Sequence, residues 1–338
     1  MTMDKTYRIC LLPGDGIGPE VVASAAEVLC ALPLAFEFSQ AEIGFGAFQK
    51  LGTPLPQETL DAIRAIDAAL FGAVTTPPNI EGYFSPVVRM RQTLDLYTNL
   101  RPIKSIPHPS SREGIDILIV RENSEGLYIG SERMEENGER AVTERIITRR
   151  GSERILRKAF ELARAGGRQK VHVVHKANVL RQTCGLFRAV ALEVARDFPD
   201  IEMKEMLVDT CAMELVRAPQ QFELIVTTNL FGDILSDEAC MLVGGLGVAA
   251  SGNIGADAAV FEPVHGSAPT LASTGQANPL AAILAAAMLL EHIGEAVQAQ
   301  RVRAAAEACM AAGEVTADMG GTLSTEEATQ AVIHNLKD

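Results

Sequence analysis

Asp233 and Asp237 stand four residues apart in the segment NLFGDILSD, residues 229–237. On a helix, that spacing puts both carboxylates on one face near its start, where two oxygen donors can share a hard cation. Asp209, at the end of the apolar run Met206–Val208, offers a third oxygen. No Cys or His lies beside them, so an all-oxygen set would select Mg2+ or Mn2+ over zinc. The competing explanation, acids that simply favour a helix N-terminus, fits the spacing equally well.

Three arginines could serve an anion. Arg91 belongs to the helical pattern Val87–Leu96, Arg101 to NLRP, and Arg121 follows an apolar strand in VREN. A guanidinium at a strand end suits planar, bidentate carboxylate recognition. Singly, each reads as a surface ion pair; three from neighbouring elements favour an anion site. Lys176, just past the apolar run Val171–Val174, is a base if nearby cations lower its pKa and a solvated charge otherwise. His265 in EPVHGSAP suits a site or a plain loop. The turn PGDGIGPE, residues 13–20, departs from G-x-G-x-x-G, and no G-K-[ST] follows, so the Rossmann and P-loop fingerprints both fail. A tight turn and an anion-facing strand-to-helix junction explain it equally well.

Positioning these groups takes an alternating framework. Strand-like runs at Arg8–Leu12, Ala68–Phe71, Asp116–Val120, Val171–Val174 and Leu224–Thr227 alternate with helical patterns at Val21–Leu29, Ser152–Ala165, Leu186–Arg196 and Ile234–Leu242. This is the grammar of βαβ units and a mostly parallel sheet buried on both faces, an α/β fold. A length of 338 residues favours two domains. The polar stretch Ser131–Arg140, flanked by the β-prone runs Gly126–Ile129 and Arg145–Thr148, reads as a hairpin-like arm with Asn137 and Gly138 at its tip. Such an arm is either a surface hairpin or an oligomer contact.

With 30 basic and 43 acidic side chains the chain carries −13, which disfavours nucleic acid and anionic membranes as partners. The six scattered cysteines read as small core residues. No secretory pattern opens the sequence, and the longest apolar run, Pro279–Leu290, is too short to span a bilayer. A cytoplasmic location is expected.

Taken in order, GDGIGPE, DLYTNLRP, IVRENSEGLY, VHKANV, TTNLFGDILSD, EPVHGSAP and GQANPLAAIL closely resemble the β-decarboxylating dehydrogenases, the family of isocitrate, homoisocitrate, 3-isopropylmalate and D-malate or tartrate dehydrogenases. The resemblance covers essentially the whole chain. It implies the two-domain isopropylmalate dehydrogenase-like fold with a non-Rossmann nucleotide site, one domain from residues 1–98 plus 245–338 and a second, dimerising domain from 99–244 with a projecting arm at about 126–150. It further implies a cleft between them, a homodimer or dimer of dimers, and a place in amino-acid biosynthesis. Carried over by position, Arg91, Arg101 and Arg121 would bind the carboxylates of a small hydroxy di- or tricarboxylate, with Thr76, Ser85, Val88 and Asn178 nearby. Asp233 and Asp237 would hold Mg2+ or Mn2+ with Asp209 of a second copy, and Lys176, also from that copy, would pair with Tyr128 in proton transfer. NAD would lie along Ile17, Thr75, Glu262, His265, Gly266, Ser267, Ala268, Pro269 and Asn278. The implied reaction is metal-dependent oxidative decarboxylation of a (2R)-2-hydroxy acid of the 3-substituted malate type. Some relatives are non-catalytic regulatory subunits, but those lose part of the set that is intact here.

Two positions depart from the family patterns. Homoisocitrate enzymes have an arginine where this chain has Val88, and isocitrate enzymes use a Ser and an Asn nearby, of which only Ser85 has a match. A pocket formed by Phe84, Val87 and Val88 would leave a distal carboxylate unpaired at about 1–3 kcal/mol or more, so a 3-alkylmalate or a small malate-like substrate is expected. Second, Thr270 and Leu271 replace both the acid of NAD-using relatives and the Lys-Tyr pair of NADP-using isocitrate enzymes. A weakened preference for NAD follows, with NADP tolerated.

Overall fold

The computed structural model describes residues 5–78 and 80–336. Along the chain come β1 (Thr6–Gly14), α1 (Gly18–Cys30), β2 (Ala35–Gln40), α2 (Phe45–Leu51), α3 (Gln57–Arg64), β3 (Ala68–Ala73), α4 (Pro86–Thr93), β4 (Thr98–Lys104) and β5 (Asp116–Glu122). Then follow β6 (Glu132–Glu135), β7 (Arg140–Thr143), α5 (Arg149–Ala165), β8 (Lys170–His175), α6 (Thr183–Val194), β9 (Glu202–Leu207), α7 (Val208–Arg217), β10 (Leu224–Thr227) and α8 (Asn229–Cys240). The chain closes with β11 (Ala250–Ile254), β12 (Ala259–Pro263), α9 (Leu280–His292), α10 (Ala296–Ala312) and α11 (Thr325–Asn335).

The chain forms two compact units. One comprises Met1–Leu96, Ser105–Glu113 and Val243–Asp338, the other Tyr97–Lys104 and Gly114–Leu242. The segment Ser105–Glu113, assigned by sequence to the second domain, thus clusters with the first unit. There Ser111 bridges to Val243.

In the first unit the strand order is β2-β1-β3-β12-β11, parallel except for the β11/β12 pair. Every residue of β3 is buried, as expected of a strand covered on both faces. Cys10 and Leu12 of β1 with Ala69 and Phe71 of β3 meet Leu60, Ile63, Met90 and Leu94 of α3 and α4. The alanine-rich α9, buried from Leu280 to Leu290 except at the half-buried Leu284, packs on β11 and β12 and against α1. Its small side chains allow that close approach. A capping box starts α11, with Ser324 accepting from the Glu327 N–H and Glu327 accepting in return.

The second unit repeats the plan with the order β4-β5-β10-β8-β9, antiparallel only between β4 and β5. One face is covered by α5 and α6, where Ile155, Leu156, Ala159, Phe160 and Ala163 form a helical stripe against Val120, Val171, Val173 and Val226. Thr148 caps α5 by accepting from the Gly151 N–H at 3.0 Å. The other face carries α7 and α8.

Several local readings shift. The flanking β-prone runs meet at an antiparallel bridge between Gly126 and Ile146, while the ribbon itself is made by the polar stretch, Glu132–Glu135 against Arg140–Thr143, and Leu127–Ile129 makes a 3-10 turn. Exposed alternating side chains can pair as a two-stranded ribbon without a core face, so the hydrophobic signal misplaced it. Glu136 and Asn137 both adopt positive φ at the tip. Asp209, at the end of the apolar run Met206–Val208, lies in the first turn of α7 directly after β9. Cys30 is exposed, whereas the other five cysteines are buried. Among the described residues, no helix is long and apolar enough to cross a membrane.

Candidate active site

Alternation along β4 and β5 determines what faces α8. Asn99 pairs in register with Arg121, and Arg101 lies two residues on, so all three project to the face opposite Val120. Gly232 lets α8 press onto that face: a Cβ there would sit 2.7 Å from the Arg121 Cβ. Asp233 and Asp237 then meet the arginines. Arg101 donates to Asp237 Oδ1 at 2.8 Å, Asp233 Oδ1 at 3.2 Å and Ser236 Oγ at 2.7 Å. Arg121, 1% exposed, donates to Asp233 Oδ1 at 2.5 Å and to Asn229 Oδ1. The Tyr128 hydroxyl donates to Asp233 Oδ2 at 2.6 Å, and its ring lies under the Arg121 guanidinium, 5.2 Å from the centroid.

Two guanidiniums and two carboxylates make a locally neutral quartet. Buried arginines of this kind are held only because their charge is matched. The Asp237 carboxyl is pushed up by burial, opposed by Arg101 and reinforced by the nearby charge of Asp233. Side by side on one helical turn and both part-exposed, the two aspartates are crowded anions whose donor atoms are all oxygen, and such a pair fits a hard divalent cation. Among the described residues no three His, Cys, Asp or Glu side chains converge to complete a site within one chain. Asp209 is elsewhere. The parallel pairing of His175 with Leu207 sets the ends of β8 and β9 side by side, and Lys176 donates to Asp209 Oδ1 at 2.5 Å. That bond holds the Asp209 carboxyl below its ordinary range. Asn178 is exposed two residues further on.

In the first unit a second set gathers at the C-terminal ends of β1, β3 and β12, the end where open α/β sheets bind ligands. The Ile17 N–H donates to the Ser267 carbonyl at 2.9 Å, and Ser267 Oγ meets Thr75 Oγ1 at 2.8 Å. Gly16 has φ +62°, and a Cβ there would lie 1.9 Å from the Ser267 carbonyl oxygen. Only glycine permits this approach. Asp15, which the sequence did not single out, ties the site together: its carboxylate accepts from the backbone N–H groups of Phe45, Gly46 and Thr75 at 2.7–2.8 Å. Ala268 takes φ +37°, uncommon for a residue with a Cβ. His265 bonds the Gly266 carbonyl through Nδ1, burial lowers its pKa, and its buried Nε2 has no partner among the described residues. Asn278 donates to Asp318 and accepts from the Leu280 N–H.

Arg91 and Glu262, assigned by sequence to substrate and cofactor respectively, bind each other at 2.8 Å, both buried. Arg91 Nε is buried and has no hydrogen-bond partner among the described residues. Ser85 caps α4 through a 3.4 Å contact from the Val88 N–H, Val88 is half-buried, and Thr76 is exposed.

The carboxylate pair, matched arginines and phenol of the second unit and the glycine-lined loop of the first are each compatible with metal-assisted redox chemistry. The chain matches the family model "Isocitrate/isopropylmalate dehydrogenase" over residues 8–332 and belongs to that family. It is accordingly a β-decarboxylating dehydrogenase. It is 51% identical over 332 residues to the isocitrate/homoisocitrate dehydrogenase of Thermus thermophilus, covering 98% of this chain and 99% of that one. It is 47% identical over 335 residues to the 3-isopropylmalate dehydrogenase of Methanothermobacter thermautotrophicus, covering 99% and 100%. Among solved structures, the isocitrate dehydrogenase from Methylococcus capsulatus matches with a TM-score of 0.95 at 45% identity, covering 98% of this chain and all of that one.

Proposed function

We propose that this chain oxidises and decarboxylates a (2R)-2-hydroxy acid of the 3-substituted malate type, using NAD+ and Mg2+ or Mn2+. The observation that carries this reading is the quartet of Arg101, Arg121, Asp233 and Asp237 with Tyr128 attached. A dication and a dianionic substrate can replace its internal pairings without leaving a net charge buried. Arg101 and Arg121 would then pair with substrate carboxylates, and Asp233 and Asp237 would hold the cation.

When bound, the cation would acidify the 2-hydroxyl and steady negative charge on the substrate, and NAD+ would accept hydride. Lys176, supplied with Asp209 by a second copy, takes the hydroxyl proton as hydride leaves C2. The C3–carboxylate bond then breaks, CO2 departs, and Tyr128 delivers its phenolic proton to C3 of the enolate to give the 2-oxo acid. The full complement of Lys176, Tyr128 and the three aspartates favours catalysis over a binding-only subunit. Phe84, Val87 and Val88 favour an alkyl substituent at C3. Thr270, exposed and uncharged, gives neither an acid for the ribose nor a cation for a 2′-phosphate, so NAD is preferred modestly.

The test is kcat/KM for 3-isopropylmalate, D-malate, isocitrate and homoisocitrate with each nucleotide. Turnover of 3-isopropylmalate with NAD+ favoured over NADP+ is expected. No turnover of any of the four, or a preference for NADP+, would oppose the proposal.

A further inference from the structure

Thr75 lies two residues past the end of β3, beyond the last register pair that joins β3 to β1. Side chains from two other segments hold its main chain instead. Asp15 Oδ2 accepts from the Thr75 N–H at 2.8 Å, and the Tyr83 hydroxyl donates to the Thr75 carbonyl at 2.7 Å. The two holders are themselves joined. Asp15 Oδ2 also accepts from the Phe45 N–H at 2.7 Å, and the Tyr83 ring stands edge-on to Phe45 and Phe48, with centroids 6.0 and 5.4 Å apart. Asp15, Phe45, Tyr83 and Thr75 thus form a closed circuit inside the first unit. Gly44 leaves room for it, since a Cβ there would lie 2.4 Å from Asp15 Oδ2. Edge-on packing between two rings fixes the direction of the Tyr83 ring and so the position of its hydroxyl.

The circuit ends on a pair of hydroxyls. Thr75 Oγ1 and Ser267 Oγ share one hydrogen bond, in which either can be the donor, so one of their two protons bridges them and the other has no acceptor among the described residues. That proton is a donor held in place before any ligand arrives, which lowers the ordering cost of binding one.

Resting on the proposed function, we infer that Tyr83 is a positioning residue for the nicotinamide cofactor: its hydroxyl holds the Thr75 main chain and thereby sets the Thr75 and Ser267 hydroxyls in the arrangement that receives NAD+. Tyr83 acts through Thr75. Its loss weakens cofactor binding and leaves the chemical step unchanged.

The experiment titrates NAD+ calorimetrically into the wild-type protein, Tyr83→Phe, Tyr7→Phe, Thr75→Val and the double variant of Tyr83→Phe with Thr75→Val, with melting temperatures alongside. Tyr83→Phe keeps the three rings and deletes only the hydroxyl. Tyr7→Phe deletes a phenol hydroxyl of the same unit that donates to Glu295, outside the circuit, and so controls for lost stability. In Tyr83→Phe the Kd for NAD+ rises about fivefold, the size of one net hydrogen bond, and KM for NAD+ rises in step while kcat at saturating NAD+ is kept. Tyr7→Phe leaves the Kd unchanged whatever its melting temperature. On the Thr75→Val background, Tyr83→Phe adds nothing further, because the hydroxyl that it places is already gone. An unchanged Kd in Tyr83→Phe, an equal loss in Tyr7→Phe, or a full further loss on the Thr75→Val background overturns the role of Tyr83 alone. A wild-type protein that binds neither NAD+ nor NADP+ removes the nucleotide site and the reading on which this inference rests.

Discussion

At the scale of single residues, the proposed chemistry divides between two groups whose loss has different signatures. Lys176→Ala removes the base that accompanies hydride departure, so it should suppress NADH formation by at least about a hundredfold, within the usual range for a general base. Tyr128→Phe leaves hydride transfer intact and slows the steps after it, so a burst of NADH followed by slow turnover is expected in stopped flow. Wild-type turnover in either variant would remove its assigned role. The sequence paired Asp233 with Asp237 in one motif but left Arg101 and Arg121 in others, with no means of joining them to that pair. That they bind one another depends on the β4/β5 register and on Gly232, long-range facts that local spacing does not carry. Asn229, which locks Arg121, stood inside the quoted motif, yet an amide at a helix start is ordinary capping chemistry and gave no distinct signal. His172 makes a separate prediction. Burial, with the charges of Lys170 and Lys204, pushes its pKa down from the ordinary 6.5 to about 4. The unfolded chain therefore binds the extra proton first. Its contribution to stability is full above pH 6.5 and is lost as pH falls from there to about 4. Melting temperatures against pH should show this slope, and His172→Phe should flatten it; an unchanged slope would assign the effect to other groups.

At the scale of elements, the long apolar strands and the amphipathic α5 were legible because burial on both faces, or a single stripe, leaves a strong periodicity. β2, β4, β9, β11 and β12 were not read, being short, exposed or broken by residues such as Pro102 in β4. The arm misled for the same reason: its strands are polar, and their partner is each other. The turn at residues 14–18 was visible as a glycine cluster, but which glycine matters appears only where Gly16 meets the Ser267 carbonyl. Gly16→Ala combines a positive φ with a backbone clash and should cost roughly 1–3 kcal/mol in denaturant unfolding. It should also raise the KM for NAD+ by separating the two loops that Ile17 and Ser267 join. A variant with unchanged stability and cofactor affinity would dissociate this contact from the nucleotide site.

At the scale of the whole molecule, a net charge of −13 sits awkwardly with an anionic substrate until the charges are located. Part of the acidic excess is matched where it stands, since Asp233 and Asp237 hold Arg101 and Arg121 and Asp209 holds Lys176. α7 and α8 leave Met213, Val216 and Ile234 more than half exposed, as is Met241 just past the end of α8, apolar surface on the same two helices that carry the aspartates. In the proposed reading a second copy covers that surface and supplies its own Lys176 and Asp209. The central claim is that this chain alone, with a divalent cation, couples oxidation to decarboxylation. The most direct test measures NADH and CO2 together from purified protein given 3-isopropylmalate, NAD+ and Mg2+, with and without a chelator. Equal amounts of NADH and CO2, abolished by chelation and restored by Mn2+, are predicted. NADH without CO2, or turnover indifferent to the chelator, would contradict it.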